Sequence, residues 1–174
     1  MHVIIDGYNV IRQSYSLRRY ERQSLEAGRT ALISLLSAYK RKKDHKITVV
    51  FDGWKSGSAQ EERDFQSGIN IIYSSHGEKA DEVIKRLTDQ ADEEIIVVTS
   101  DRGISSYVIR RGKTAISSHE FEIIITNNSA ELQAIKIVEE KDGQEESGRS
   151  SKKKGPSRRL PRTERNAQAK IKKL

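Results

Sequence analysis

Four short apolar runs punctuate this chain, and three of them stop at an aspartate: HVIIDG at Asp6, ITVVFDG at Asp52 and EIIVVTSDRG at Asp101. The fourth, INIIYS, leads into the helical pattern ADEVIKRL, whose first acid is Asp81. Continuous β-branched runs of this length read as strands buried on both faces of a parallel sheet. Helix patterns separate them. Leu25, Ala31, Leu32, Leu35, Leu36 and Tyr39 recur at three and four within residues 24–43, and Ala80, Val83, Ile84, Leu87 and Ala91 do so within 78–91. Strands and helices that alternate with short connections predict a doubly wound, mainly parallel α/β sheet.

The other segments fill in this plan. Gly103 to Arg111 reads as a short helix capped by Ser100 or Asp101, and Thr114 to Ile116 as a brief fifth strand. Ser118 to Ile125 and Ser129 to Glu140 read as helices, although EIII alone also suits a strand. WKSGSAQEERDFQSG is expected to be a polar loop or a short helix.

At 174 residues the chain holds one domain of ordinary size. It has no cysteine, which excludes disulfides and thiolate zinc sites. No apolar run approaches the roughly 20 residues of a membrane span, and MHVIIDG lacks the basic start of a signal peptide. A cytoplasmic protein without membrane association is expected. The net charge of +7 is uneven: residues 141–174 carry twelve Lys and Arg against four Asp and Glu, leaving 20 and 21 for residues 1–140. A domain over 1–140 is therefore nearly neutral, and the basic character belongs to the tail, 141–174. With only Leu160, Ala167, Ala169, Ile171 and Leu174 as apolar residues, that tail is expected to be disordered in isolation. Residues 164–174 are expected to form a short basic helix on a partner.

The C-terminal ends of parallel strands form one rim, where open α/β sheets bind ligands. Two carboxylates about 4 Å apart repel by roughly 4 kcal/mol at an effective dielectric near 20. Cations between the acids relieve that repulsion. Mg²⁺ and Mn²⁺ prefer carboxylate and water oxygens, and two ions about 3.5–4 Å apart assist in-line attack on a phosphodiester. Each acid also has a plainer explanation. Asp6 and Asp52 suit turns after strands, Asp101 suits a helix cap, and Glu78, Asp81 and Glu82 suit the first turn of a helix. What the plain explanations leave unaccounted for is their coincidence on one edge. Asp6, Asp81, Asp101 and Asp52 are thus the candidate metal ligands. Asn9 can return to the same rim, Glu78 can share a helix face with Asp81, and Arg102 is placed to contact a phosphate or neutralise the acids. The four histidines show no ligand spacing. GxGxxG, GxxxxGK[ST] and GxSxG motifs are all absent.

Two basic segments suit nucleic acid. Arg12, Arg18, Arg19 and Arg22 follow the first strand with Tyr15 and Tyr20 between them; arginine forks bind phosphate and tyrosine stacks on unpaired bases. In the tail, Lys152, Lys153, Lys154, Arg158 and Arg159 suit salt-dependent, sequence-independent binding of RNA.

Taken in order over about residues 1–128, DGYN, VFDG, ADEVI and TSDRG resemble the NYN domain, a branch of the PIN-like nucleases, and within it the bacterial YacP-like proteins. The resemblance implies a PIN-like three-layer fold with a mainly parallel central sheet flanked by helices. It implies a metal-dependent endoribonuclease that uses Mg²⁺ or Mn²⁺ and cuts mRNA in association with the ribosome. By position, Asp6, Asp81 and Asp101 match the acidic metal ligands, and Asn9, Asp52 and Ser100 match supporting polar positions. Two alternatives accompany this reading: a non-catalytic RNA- or ribosome-binding protein on the same fold, and a flap-type DNA nuclease.

Overall fold

The computed structural model describes residues 1–53, 60–126 and 162–174. Six strands form one sheet: β1 (His2–Asp6), β2 (Lys46–Phe51), β3 (Glu62–Gln66), β4 (Ile69–Tyr73), β5 (Ile95–Val98) and β6 (Thr114–Ile116). Their order is β3-β4-β2-β1-β5-β6. β1 runs parallel to β2 and β5, β4 to β2, and β6 to β5; only β3 is antiparallel. Among the described residues the helices are α1 (Gly7–Gln13), α2 (Tyr15–Glu21), α3 (Leu25–Lys40), α4 (Ala80–Gln90), α5 (Arg102–Arg110), α6 (118–126) and α7 (Arg162–Ile171). None is long and apolar enough to cross a membrane.

The strands are apolar on both faces because helices cover both. Val3, Ile5, Val49, Phe51, Ile96 and Val98 pack with Leu32 and Leu36 of α3 and Phe121 of α6. Ile4, Val50, Ile95 and Val97 point the other way, onto Val83 and Ile84 of α4 and Ile104 and Val108 of α5. Each fully buried aliphatic side chain contributes roughly 1.5–3 kcal/mol of transfer free energy. Three layers result, as expected. The chain leaves β1 toward β2 and β4, then crosses back to β5 on β1's other flank. Strand order therefore reverses at β1, and its C-terminal end is where this topology opens a crevice.

Two expectations need correction. The polar segment before β4 contains a sixth strand, β3, exposed along its whole length. It pairs with β4 through the two-residue turn Ser67-Gly68, with φ of 50° and 83°, the positive values such hairpins require. The end of the basic tail, expected to be disordered in isolation, packs on its own domain. Leu174 is 3% exposed within the core, the Tyr39 hydroxyl donates to its carbonyl at 2.8 Å, and Lys173 pairs with Glu94 at 3.1 Å. Residues 141–161 and the helix expected over 129–140 lie outside the described residues.

The ambiguous EIII segment is helical because of its start. Ser117 Oγ accepts from Glu120 N at 3.2 Å, and the Glu120 carboxylate accepts from Ser117 N at 2.9 Å. That reciprocal pair satisfies the first orphan donors of α6.

Candidate active site at the strand rim

The four aspartates lie where strands end and helices begin. Asp6 is the last residue of β1 and the N-cap of α1, where its Oδ1 accepts from Asn9 N at 3.4 Å. Asp101 caps α5, its Oδ1 accepting from Gly103 N at 2.7 Å and Ile104 N at 3.0 Å. Asp52, one step beyond β2, reaches across to α4: its Oδ1 accepts from Ala80 N at 2.7 Å, where Lys79 at the N-cap position offers no side-chain bond. Asp81 occupies the first turn of that same helix. Three helix N-termini thus converge on the acids, and their partial positive charge offsets part of the mutual repulsion. Cations are not the sole thing that makes the cluster tolerable.

Burial is graded across the group. Asp6 is 9% exposed, Asp52 and Asp81 are half-buried, and Asp101 is exposed. Burial pushes the Asp6 carboxyl up to about 6, with Asp81 and Asp52 adding to the rise, against the hydrogen bonds from Thr99 and Asn9. Asp81 is also raised, first by burial and then by Asp101 and Asp52, while Lys85 and Lys79 oppose the shift. Each acid therefore feels at least one of the others.

The glycines that follow Asp6 and Asp52 are needed for close approach. A Cβ on Gly7 would lie 2.3 Å from the Phe51 ring, and one on Gly53 would lie 1.9 Å from the Ser74 carbonyl oxygen. Neither glycine has positive φ. The repeated Asp-Gly pair marks places where neighbouring strand ends crowd together, which brings the acids together too.

Asn9 ties the rim to its surroundings. Its Oδ1 accepts from Ser100 N at 2.9 Å and from Ser118 Oγ at 2.7 Å, while Ser100 Oγ accepts from Ser118 N at 3.2 Å. The loop carrying Asp101 is thereby fixed to α1 and to the start of α6. Thr99 completes the set: its hydroxyl donates to Asp6 Oδ2 at 2.9 Å and accepts from Asp101 N at 3.1 Å. Thr99 and Ser118 are not among the residues that the sequence singles out. Thr99 has a local signal, as the polar residue within TSDRG. Ser118 lies 109 positions from Asn9 and has none.

Other candidates fall elsewhere. Glu78 accepts from Ser75 Oγ at 3.1 Å and from the Arg86 guanidinium, which also binds Glu61. That ion-pair network, and no carboxylate of the rim, is its partner. Arg102 is exposed at the first position of α5. Arg12 bonds Glu21 through Nε at 3.3 Å and lies over the Tyr8 ring; Arg19 lies over Tyr20. Tyr15 is 95% exposed, and Arg18 and Arg22 are exposed on and after α2. Lys152, Lys153, Lys154, Arg158 and Arg159 lie outside the described residues.

With this geometry in hand, similarity to known proteins is decisive. Residues 3–173 match the YacP-like NYN domain family. The chain belongs to that family. It is 26% identical over 144 residues to the uncharacterized protein YacP of Bacillus subtilis strain 168, covering 80% of this chain and 84% of that one. Two crystal structures of Rae1 (YacP) from Bacillus subtilis share the fold. One, of a single-substitution mutant, superposes with a TM-score of 0.66 at 21% identity, over 83% of this chain and 86% of that one. The other gives 0.63 at 24% identity, over 80% and 83%. As a YacP-like NYN domain the chain falls among the PIN-like nucleases, whose domains generally use divalent metal ions. The match extends through α7, so the end of the tail is part of the family pattern and not an appendage to it.

The rim offers oxygen donors, the kind that hard divalent ions take. One oxygen each of Asp52 and Asp101 is committed to a helix cap, and the second makes no hydrogen bond among the described residues. Among the described residues no three acids or histidines are gathered closely enough to hold a metal as they stand. The donor chemistry fits such an ion, while the spacing requires the side chains to draw in or water to complete the shell.

Proposed function

We propose that this chain is a metal-dependent endoribonuclease that hydrolyses RNA phosphodiesters, with mRNA associated with the ribosome as its substrate. The observation that carries the proposal is the rim itself: Asp6, Asp52, Asp81 and Asp101 at the switch point of a PIN-like sheet, electrostatically coupled to one another. Asp6, Asp81 and Asp101 would hold Mg²⁺ or Mn²⁺, with Asp52 beside them. A bound divalent ion supplies charge for the phosphoryl oxygens and acidifies water. The chain's own residues do the rest. Thr99 and Asn9 orient Asp6, and Asn9 with Ser118 holds the loop that presents Asp101. The arginines of α1 and α2, Arg12, Arg18 and Arg19, with Arg22 just after them, bind the RNA backbone.

The test is cleavage of a single-stranded RNA with added Mn²⁺ by wild type, Asp6→Asn and Asp101→Asn. Each variant is expected to lose more than the roughly 10–100-fold typical of a residue that only supports a ligand. Equal activity in all three sinks the proposal. RNA binding with no cleavage, on free RNA and on translating ribosomes, selects the non-catalytic alternative, and preferential cutting of a DNA flap selects the other.

A further inference from the structure

The acids occupy only one side of the rim. On the side of the sheet covered by α1 and α3, three rings line the same strand ends. Tyr8 meets Phe51 edge-on at 5.1 Å between ring centres, and Phe51 stacks on Tyr73 at 5.8 Å. Tyr8 lies two positions after Asp6, Phe51 immediately precedes Asp52, and Tyr73 ends β4. Two guanidinium groups rest on this aromatic row. Arg12 lies 5.5 Å from the Tyr8 ring centre and Arg29 lies 5.4 Å from that of Tyr73. Arg29 also donates from Nη1 to the Tyr8 hydroxyl at 3.4 Å, so Tyr8 touches both cations.

The chemistry of these contacts is selective. A ring face holds a guanidinium without consuming its N–H donors. Arg29 spends one donor on a neutral hydroxyl, and no carboxylate pairs with it among the described residues. Arg12 spends Nε on Glu21. Each therefore keeps a fork of donors of the geometry that binds phosphate. Ordinary surface arginines move freely, whereas Arg29 is half-buried and held at two points. The surrounding domain carries no net positive charge, since residues 1–140 hold 20 basic and 21 acidic side chains. A polyanion approaching the acid cluster needs fixed cations next to it.

We infer that Arg29, with Arg12 beside it, forms a phosphate subsite for the RNA strand as it crosses the rim; the Tyr8 and Phe51 rings, 6% and 0% exposed, support the guanidinium groups from the core and are not surface that RNA touches. Arg29 binds substrate backbone and does not touch the reacting phosphorus. The subsite takes the polymer's identity from the nuclease reading, but its geometry stands apart from the metal.

The experiment is RNA binding followed by fluorescence anisotropy, with a labelled single-stranded RNA in EDTA so that no cleavage occurs. Arg29→Gln is expected to bind about tenfold more weakly, as loss of a charged hydrogen bond implies. The slope of log affinity against log salt is expected to fall in magnitude by about 0.7, the value for one phosphate on a single strand. Wild-type affinity in Arg29→Gln, or no RNA binding by the wild type, overturns the inference. If Arg29→Gln does not fold, Arg29→Lys decides. It keeps the cation and loses the fork, so weaker binding with an unchanged salt slope supports the subsite and unchanged affinity overturns it. With Mn²⁺ and RNA varied through saturation, Arg29→Lys is expected to raise KM and leave kcat near wild type. The two readings fail separately. RNA binding that depends on Arg29 in a protein that never cleaves RNA removes the nuclease reading alone. Cleavage with binding indifferent to Arg29 removes the subsite alone.

Discussion

The two ends of the same parallel strands carry charge in opposite ways. At the N-terminal ends, acids meet bases: Glu93 lies 3.5 Å from Lys46 and 3.6 Å from His2, and Glu94 lies 3.1 Å from Lys173 and 3.9 Å from Lys170. At the C-terminal ends, Asp6, Asp52 and Asp101 take backbone amides and a threonine hydroxyl as partners, and Asp6 and Asp81 are shifted upward by burial and by their acidic neighbours. One end is neutralised and the other is left with excess negative charge. The difference separates an end paired for stability from the end that the proposed reaction would use.

The largest expected break at the stable end comes from His2. It is buried with its Nε2 2.8 Å from the Thr48 hydroxyl, and burial together with the Lys46 ammonium lowers its pKa to about 4. A histidine kept neutral in the fold contributes its full stability above its unfolded value near 6.5, because the unfolded chain binds the proton more readily below that. Between about pH 6.5 and 4 the wild type is expected to lose up to about 3 kcal/mol, with no further loss from this group at lower pH. Urea unfolding of His2→Gln should show a flatter profile across that window.

At the acidic end the sign reverses. Asp6 is raised to about 6 in the fold, so its ionisation opposes folding once pH climbs from about 4 through 6. Asp6→Asn is expected to be more stable than wild type at pH 8 by about 1–2 kcal/mol, after roughly 1 kcal/mol is deducted for a lost acceptor. At pH 4 the gain should vanish. A variant that loses cleavage while gaining stability would identify the rim as strained for function. Equal unfolding profiles at pH 8 would remove that distinction.

Smaller effects sharpen the contrast. Ser118→Ala takes a donor from Asn9, and is expected to cost about 1 kcal/mol of stability and about tenfold in Mn²⁺-dependent cleavage. Glu93→Gln, at a pair open to solvent, should cost less than about 1 kcal/mol, and that cost should shrink further in high salt.

How much of this is legible in the sequence follows from the range of each interaction. The strands announce themselves by unbroken β-branched runs, and aspartates at their ends have to share a rim once the sheet is parallel. β3 stays hidden because Glu62–Gln66 is exposed throughout and shows no buried face; its one local sign is the Ser67-Gly68 turn. Helical spacing directs Glu78 toward Asp81, but the fold gives it Arg86, eight positions on. Spacing along a helix reports neighbours on that helix and not which neighbour wins. Thr99 stands two residues before Asp101, inside a motif that the sequence does display. Ser118, Arg29 and the ring of Tyr73 reach the site through tertiary contacts alone, and no local pattern encodes those. The end of the tail escapes a composition argument for a related reason: Ile171 and Leu174 are few in number, but the fold has a place ready for them against β6 and Tyr39.

That last contact has a consequence in time. The hydroxyl of Tyr39 bonds Leu174, 135 positions further along, and Leu174 belongs to the same apolar cluster as β1 and β2. Chains are synthesised from the N-terminus, and closing so long a loop is entropically slow. The sheet can assemble from β1 to β6 while that corner of the core still stands open to water. Until that stretch has been made and has come back against α3, the Tyr39 corner lacks the apolar side chain that closes it.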